Sequence, residues 1–425
     1  MKRQEYTLEN GLRVVTIDTK SYPTFTCALL VRAGSRDEST QNNGVAHFFE
    51  HMVFKGSKKY PTPSLISTIL DGLGGDHNAF TAQDHTGYWI RGANEHFQLC
   101  IDVLSDMIKH PNIDPVEMEK EKGAIIEEIN MYEDNPMWRA SEFLDEVMYK
   151  GTSLGLPIAG SKETVMAMKP DDIKSYLGAW YKPKNAILVV AGGLESIEST
   201  MKNTIAQAFE DWDANGDVLS RVKYKGIHTT SRIQVMKRAS EQMHIRIGYP
   251  AYSYSDPRRF ALSILTTVLG GGMSSRLFSQ VREKHGLCYY ISMGAQAYED
   301  AGHVVTSLGT SVEPEKVKLA IQLSLKEHKQ ITMQPISPQE LARAKSMAKG
   351  HFLLSLESSE YVAEHVAKQS LFYSESLTPE QICEHIDSVT ATQVQSVAQD
   401  ILKPSAMYLC AVGPITKSEL ASYIG

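Results

Sequence analysis

Two stretches of the 425-residue chain are similar enough to restrict its fold. Residues 171–193 and residues 392–414 align without gaps at an offset of 221, and both have the pattern of an amphipathic helix, a Lys-Pro turn and a buried strand. The strand ends at Gly192 in the first copy and at Gly413 in the second. A repeat of this length is too long for a solenoid and predicts two similar domains.

The rest of the chain alternates strand-like and helix-like segments, which predicts an α+β fold. We predict two homologous sandwich-type domains, each a sheet packed with helices, that are related by internal duplication. A polar segment with little periodicity, 213–228, is the predicted linker between an N-terminal domain at 1–212 and a C-terminal domain at 229–425. A chain of 425 residues also exceeds what one hydrophobic core usually organises.

Composition restricts the partners. The 43 Lys and Arg residues against 50 Asp and Glu residues give a formal net charge of -7, which favours neither nucleic acid nor an anionic membrane. The longest apolar run, AILVVA at 186–191, is too short to cross a bilayer, and no apolar segment follows the basic N-terminus as in a secretory signal. The five cysteines lack CxxC spacing and suit reduced thiols, so we expect a cytoplasmic protein.

The run GVAHFFEHMVFKG at 44–56 combines an apolar helical stripe with the polar side chains of His47, Glu50 and His51. His47 and His51 are one helical turn apart, so their imidazoles project side by side, and Glu50 lies on the same flank. Two neutral imidazoles at this spacing can hold a zinc ion, and a neighbouring carboxylate can act as a general base. The alternative is a buried helix with a satisfied histidine or two.

A catalytic zinc usually takes three protein ligands, so a third must come from elsewhere. The stretch that starts at Ile113 has helix signals: Asp114 as N-cap, Pro115 at the first helical position, and a stop before Pro136. Two of its glutamates, at 121 and 128, are seven apart and share one face, and either can turn toward the histidines. The alternative is a helix with a solvated acidic face.

The order H-x-x-E-H reverses the commoner H-E-x-x-H and is the inverzincin signature. Together with EKGAIIEEINMYEDNP it resembles the zinc motifs of the pitrilysin/insulinase-type metallopeptidases, which include the beta subunit of the mitochondrial processing peptidase and its bacterial relatives. The resemblance implies that His47, His51 and Glu128 bind one zinc per chain and that Glu50 is the general base. It also implies that Glu121 orients a ligand by hydrogen bonding.

The segment GGDHNAFTAQDHTGYW resembles the family's substrate-binding edge strand. There an extended peptide would add as a further strand, held by main-chain hydrogen bonds that are nearly blind to sequence. The residues that would meet the peptide are Asn78, Ala79, Phe80 and Thr81. Without the resemblance, the segment is equally well an ordinary hairpin strand.

In the second half, VLGGGMSSRLFSQVREKHGLCYYI resembles the family's glycine-rich loop and Arg/Tyr motif. The resemblance implies that Arg282 grips a substrate carbonyl or carboxylate and that Tyr289 donates a hydrogen bond to the oxyanion. By themselves these two are surface and packing residues. The triplet 270–272 is a tight turn, and no Gly-Lys-Ser/Thr follows that would make it a phosphate loop.

These features predict a zinc-dependent endopeptidase whose two halves close like a clamshell, because the resemblance places its zinc motif and its Arg/Tyr motif in different halves. A closed chamber would admit peptides and unfolded segments and exclude folded proteins. The resemblance also suggests a homodimer. Two rival interpretations are a scaffold subunit of the same fold, which predicts missing ligands, and a zinc-storing or peptide-binding protein that would have no need for Glu50.

Overall fold

The computed structural model describes residues 1–226 and 231–424. The strands within these ranges are β1 Lys2–Thr7, β2 Arg13–Asp18, β3 Thr24–Val31, β4 Asp76–Thr81, β5 Thr86–Ala93, β6 Ala186–Gly192, β7 Ile233–Lys237, β8 Gln242–Pro250, β9 Cys288–Ala297, β10 Gly302–Ser311 and β11 Tyr408–Gly413.

The α-helices within the same ranges are α1 Val45–Met52, α2 Pro63–Gly72, α3 Phe97–Lys109, α4 Pro115–Asp134, α5 Pro136–Met148, α6 Lys162–Ala167, α7 Pro170–Trp180, α8 Glu198–Phe209, α9 Arg259–Gly270, α10 Pro314–Met333, α11 Pro338–Ser355, α12 Ser359–Phe372, α13 Pro379–Ser388, α14 Ala391–Ile401 and α15 Lys417–Ser422. A π-helix spans Phe278–Lys284. None of the helices in this described part of the chain is long and apolar enough to cross a membrane.

The chain forms two compact units, and the first comprises Met1–Ile129, Leu156–Val222 and Ser355–Ser376. Its six-stranded sheet has the order β1-β2-β6-β3-β5-β4. Strands β2 and β6 pair in parallel, and the other neighbours pair antiparallel. Among the residues that the structure describes, strand β4 therefore lies at an edge, with a hydrogen-bonded neighbour on one side only.

Strand β3 is buried on both faces because both faces of the first sheet carry helices. Cys27 and Leu29 belong to the larger core, which also contains the apolar residues of α1 and α3. The alternate residues Ala28 and Leu30 lie in a second apolar cluster with the small and β-branched residues of α12. A near-continuous apolar strand is the pattern expected when helices cover both faces of a sheet.

The second unit comprises Asn130–Gly155, Lys223–Leu354 and Leu377–Gly425, and its sheet has the order β7-β11-β8-β10-β9. Strands β7 and β11 pair in parallel, and the remaining neighbours pair antiparallel. Along β11, Leu409 and Ala411 lie in the core with α9 and α14. Tyr408 and Cys410 lie on the other face against α5.

The structure contains the repeat that the sequence predicts. Helix α7 and strand β6 in the first unit correspond to α14 and β11 in the second, and both strands pair in parallel with one neighbour and antiparallel with the other. Gly192 and Gly413 end the two strands with positive φ angles of 149° and 153°. Both sites use backbone that favours glycine, which explains why this residue recurs at the same place.

The predicted α+β class with two sheets packed with helices is confirmed. The compact units interleave along the chain, because α12 covers the first sheet and α5 covers the second. The linear boundaries at 1–212, 213–228 and 229–425 stay a prediction about the two sequence halves. Residues 227–230 and 425 within those segments lie outside the described residues.

Candidate metal centre and peptide edge

The backbone of Gly44 and the side chain of Glu38 determine where helix α1 begins. Gly44 precedes it with φ 95°, and a Cβ there would lie 2.7 Å from the carbonyl oxygen of Ala159. The buried carboxylate of Glu38 accepts hydrogen bonds from the backbone N–H groups of Gly44 at 2.7 Å and Ala46 at 2.8 Å. Glu38 thus satisfies helix N–H groups that would otherwise lack partners and sets where α1 begins.

The polar residues of α1 occupy one flank of an otherwise buried helix. The apolar residues of this helix are fully buried in the core of the first unit. His47 is buried, whereas Glu50 and His51 are half-buried. The two imidazole rings lie 4.7 Å apart between centroids. Core packing of the apolar stripe therefore holds both imidazoles in place on the same side of the helix.

Helix α4 brings two carboxylates to these histidines. Asp114 caps it as predicted, because its Oδ1 accepts from the N–H groups of the residues two and three positions later. Oε2 of Glu128 lies 3.6 Å from Nε2 of His47 and 3.2 Å from Nε2 of His51. Oε1 of Glu121 lies 3.0 Å from Nδ1 of His51. The seven-residue spacing thus places one carboxylate on each side of the His51 ring.

The donor atoms fit a zinc ion. A metal site needs three or more His, Cys, Asp or Glu side chains whose potential ligand atoms lie close together. Within the part of the chain that the structure describes, one group has all of these atoms within 4.8 Å of one another, and it consists of His47, His51 and Glu128. Two ligands of a tetrahedral zinc, each about 2.1 Å from the ion, are about 3.4 Å apart. The distances from Glu128 to both imidazoles lie close to this value. An imidazole-imidazole-carboxylate set is a common zinc ligand set in hydrolases.

Charge at the site favours a cation. Burial lowers the pKa of His51, but its hydrogen bonds to Glu121 and Glu128 outweigh burial and raise that pKa to about 9. The neighbouring imidazoles of His47 and His51 hold the pKa of Glu128 well below its usual range. Burial acts to raise the pKa of Glu121, but hydrogen bonds from His51 and Lys55 lower it overall. Both carboxylates are therefore ionised at neutral pH, which suits metal binding.

Glu121 accepts a hydrogen bond from His51 and orients that ring. An ionised carboxylate can only accept, so Nδ1 of His51 carries a proton toward Glu121, and Nε2 carries one toward Glu128 that a bound metal ion would replace. Sequence reasoning missed Lys55, which extends this series of contacts because its Nζ lies 2.5 Å from Oε2 of Glu121. Lys55 follows His51 by four residues, and this spacing indicates that the two side chains lie on the same helix face. Sequence reasoning also missed Glu38, whose contact depends on a loop that periodicity does not describe.

Glu50 lies outside the potential ligand group. Its Oε2 accepts a hydrogen bond of 2.7 Å from the hydroxyl of Thr81. Thr81 is the last residue of β4, the edge strand that contains all four predicted peptide contacts. On this strand Ala79 is buried, Phe80 and Thr81 are half-buried, and Asn78 is exposed. Glu50 as base and β4 as peptide edge stay predictions, and the structure places the two side by side.

Arg282 and Tyr289 lie together in the second unit. The π-helix contains Arg282, and its guanidinium lies 4.6 Å from the ring centre of Phe278 and 5.5 Å from that of Tyr289. Tyr289 follows the first residue of β9, the edge strand of the second sheet, and its side chain is 79% exposed. Such exposure leaves the hydroxyl available to a ligand. The proposed roles of both residues stay predictions.

Two family models match consecutive parts of the chain. The model of the insulinase family, peptidase family M16, matches residues 13–162, and the model described as the M16 inactive domain matches residues 167–348. All three potential zinc ligands lie within the first match. The word inactive therefore describes the part of the chain that does not contain them.

Similar proteins cover nearly the whole chain. An uncharacterized zinc protease of Streptomyces coelicolor is 32% identical over 96% of this chain and 89% of its own length. The beta subunit of the bovine mitochondrial processing peptidase is 28% identical over 96% of this chain and 84% of its own length. The crystal structure of a protease from Helicobacter pylori has the same fold, with a TM-score of 0.88, 21% identity and coverage of 97% and 99%.

Fold, site geometry and relatives together indicate a metallopeptidase. The chain belongs to the insulinase-type M16 peptidase family, also known as the pitrilysin/insulinase type, as its sequence motifs predicted.

Proposed function

We propose that the chain is a zinc-dependent endopeptidase that hydrolyses peptides or unfolded segments bound as an extended strand. The observation that carries this proposal is the convergence of His47, His51 and Glu128, with a fourth polar side chain, Glu50, beside the group but outside it. A protein that only stored zinc would have no use for that additional carboxylate.

His47, His51 and Glu128 would hold the ion, and Glu121 would keep the His51 ring in the required tautomer. Bound zinc would supply Lewis acidity, which lowers the pKa of water to about 7 and polarises a carbonyl group. Glu50 would take a proton from the attacking water and pass it to the leaving amine. General acid-base catalysis of this kind is worth roughly 10² to 10⁴ in rate.

The open edge of β4 would hold the main chain of the peptide by strand addition, through Asn78 to Thr81. Arg282 would grip a substrate carbonyl or carboxylate, and Tyr289 would donate to the oxyanion. Because these groups belong to two units, we propose that the chain works as a clamshell whose closed chamber excludes folded proteins. Efficient cleavage of a compact native protein would contradict this part of the proposal.

We also propose a homodimer and a cytoplasmic location, with peptides as partners and with neither nucleic acid nor membrane. The five cysteines are free thiols, and four of them are buried, which suits a reducing compartment. The net charge of -7 offers no general attraction to polyanions. Light scattering of the purified chain tests the dimer, since a monomer at micromolar concentration would contradict it.

The proposal is tested by comparing wild type with Glu50→Gln. Metal content is measured by mass spectrometry, and turnover is measured with a library of quenched peptides. We expect one zinc per chain in both proteins and a loss of turnover of at least about 10²-fold in Glu50→Gln, because the amide cannot accept the proton. Wild type that binds zinc and peptide without cleavage would favour the peptide-binding interpretation. A chain that does not bind zinc would favour the scaffold interpretation.

A further inference from the structure

We propose that Thr81 is a positioning residue for the reaction. Its hydroxyl holds the carboxylate of Glu50, so that the strand that would receive the peptide also sets the position of the general base. This inference deepens the proposed function and rests on it.

The hydrogen bond itself is the first observation. The hydroxyl of Thr81 donates to Oε2 of Glu50 at 2.7 Å, and both side chains are half-buried. A hydrogen bond to an ionised acceptor is roughly twice as strong as one between neutral groups. It leaves the other carboxylate oxygen of Glu50 to face the proton of a water molecule.

Strand alternation explains why the hydroxyl faces α1. Residues 77, 79 and 81 of β4 share one face of the sheet. Ala79 is buried in the same core as α1, and the ring of His77 lies 5.5 Å from that of Phe54, in the 3₁₀ turn that follows α1. Thr81 continues this face at the level of Glu50. Phe80, by contrast, points to the other face and packs over Gly87.

The backbone at Thr81 is held by its pairing with β5 and by the turn that follows it. Thr81 pairs with Thr86 of β5, whose buried hydroxyl donates to the carbonyl of Ala33 at 2.8 Å. The turn between the two strands is closed by a hydrogen bond of 2.8 Å from the N–H of Ala82 to the carbonyl of His85. The side chain is β-branched, so a fixed backbone also restricts its χ1 angle.

The same turn is tied to the loop that precedes α1. The carbonyl of Ala82 accepts from the N–H of Ser35 at 3.1 Å. In the same turn, Asp84 forms a fully buried ion pair of 2.8 Å with Arg36. Strand β4, the turn after it and the loop before α1 are thus joined by short contacts. From this set of elements, the hydroxyl of Thr81 reaches Glu50. A base held by such a frame needs no reorganisation before proton transfer.

Two substitutions at this position separate the hydroxyl from the shape of the side chain. Thr81→Val replaces the hydroxyl with a methyl group of similar size, and Thr81→Ser retains the hydroxyl. Neither changes the main-chain groups of β4 that would bind the peptide. We expect Thr81→Val to lower kcat about 10- to 100-fold, as for loss of a hydrogen bond to a charged group, while KM stays within about twofold. Thr81→Ser should retain at least about a third of wild-type kcat.

Two further readouts do not depend on turnover. Zinc content should be one per chain in wild type and in both variants, because the hydrogen bond of Thr81 ends on Glu50 and not on a proposed ligand. In a Glu50→Gln background, fluorescence-labelled peptide should bind with the same Kd whether residue 81 is Thr or Val. Adding Thr81→Val to Glu50→Gln should also lower the residual kcat less than about twofold, since the group it positions is already gone.

The outcomes distinguish this inference from the function on which it rests. If wild type cleaves peptides and Thr81→Val cleaves them equally well, or if the Val and Ser variants lose kcat to the same extent, the positioning role of Thr81 is overturned and the peptidase proposal stands. If wild type binds zinc but cleaves no peptide, both are overturned.

Discussion

In the first unit strand β3 leads to α1, and in the second unit the corresponding strand β8 leads to α9. Helix α1 contains two histidines and a glutamate, whereas α9, with the sequence RFALSILTTVLG, contains no metal-ligating side chain. The two sheets nevertheless share the same core strand order. Duplication preserved the apolar pattern that builds both sheets, whereas the candidate metal site depends on a few polar residues in one copy.

Two half-buried acids, one in each unit, also differ in their surroundings. In the first unit the neighbouring imidazoles of His47 and His51 keep the pKa of Glu128 well below its usual range. In the second unit burial, with the neighbouring carboxylates of Glu142 and Glu146, raises the pKa of Asp145 to about 7. Glu128 is therefore ionised at neutral pH, which suits a cation, whereas Asp145 is partly protonated at the same pH.

The largest loss is expected when the carboxylate of Glu128, the proposed third ligand, is removed. Glu128→Gln leaves one ionised oxygen fewer at the site, and we expect zinc affinity to fall at least about 100-fold and peptide cleavage to be lost. Competition with a fluorescent zinc chelator measures the affinity. The matched control is Glu127→Gln, one position earlier on the exposed side of α4, which should bind zinc like wild type. Equal losses in both variants would contradict the assignment.

Lys55→Met tests whether a residue that contacts Glu121, and none of the three proposed ligands, contributes to zinc affinity. Lys55 holds Oε2 of Glu121, and Oε1 of Glu121 holds His51, so loss of the ammonium group should loosen this ring. We expect zinc affinity to fall about 10-fold, the lower end for groups that orient a ligand. Lys58→Met, three positions later and exposed, is the control. An unchanged zinc Kd in Lys55→Met would remove Lys55 from this role.

A small dependence of thermal stability on pH is expected from Asp145 of the second unit. An ordinary aspartate titrates near pH 4, so between about pH 4 and pH 7 the folded chain binds a proton that the unfolded chain releases. Stability should therefore fall as pH rises through this window. Between about pH 5 and pH 8 we expect the Tm of wild type to fall about 2 °C more than that of Asp145→Asn. Parallel Tm profiles would show that Asp145 titrates normally in the folded chain.

The sequence predicted the repeated helix, turn and strand because apolar period and turn residues recur together at a fixed offset. It also predicted the cap of α4 at Asp114 from local signals alone. Covering of the first sheet by α12 was not predictable, because the apolar face of a helix does not identify the sheet on which it packs.

At the site, helical spacing alone left Glu121 and Glu128 as equal candidates for the third ligand. The family resemblance chose Glu128, and the structure shows the physical difference: Glu128 lies on the Nε2 side of His51, and Glu121 lies on the Nδ1 side. The hydrogen bond between Thr81 and Glu50 joins residues 31 positions apart. Only tertiary packing brings such residues together, so no local pattern could indicate it.

Anomalous X-ray diffraction at the zinc absorption edge, on crystals of the zinc-loaded chain, tests whether His47, His51 and Glu128 hold the ion. We expect one anomalous peak per chain at about 2.0–2.2 Å from Nε2 of His47, Nε2 of His51 and a carboxylate oxygen of Glu128. A peak at another place, or crystals without a peak although the protein in solution was saturated with zinc, would contradict it.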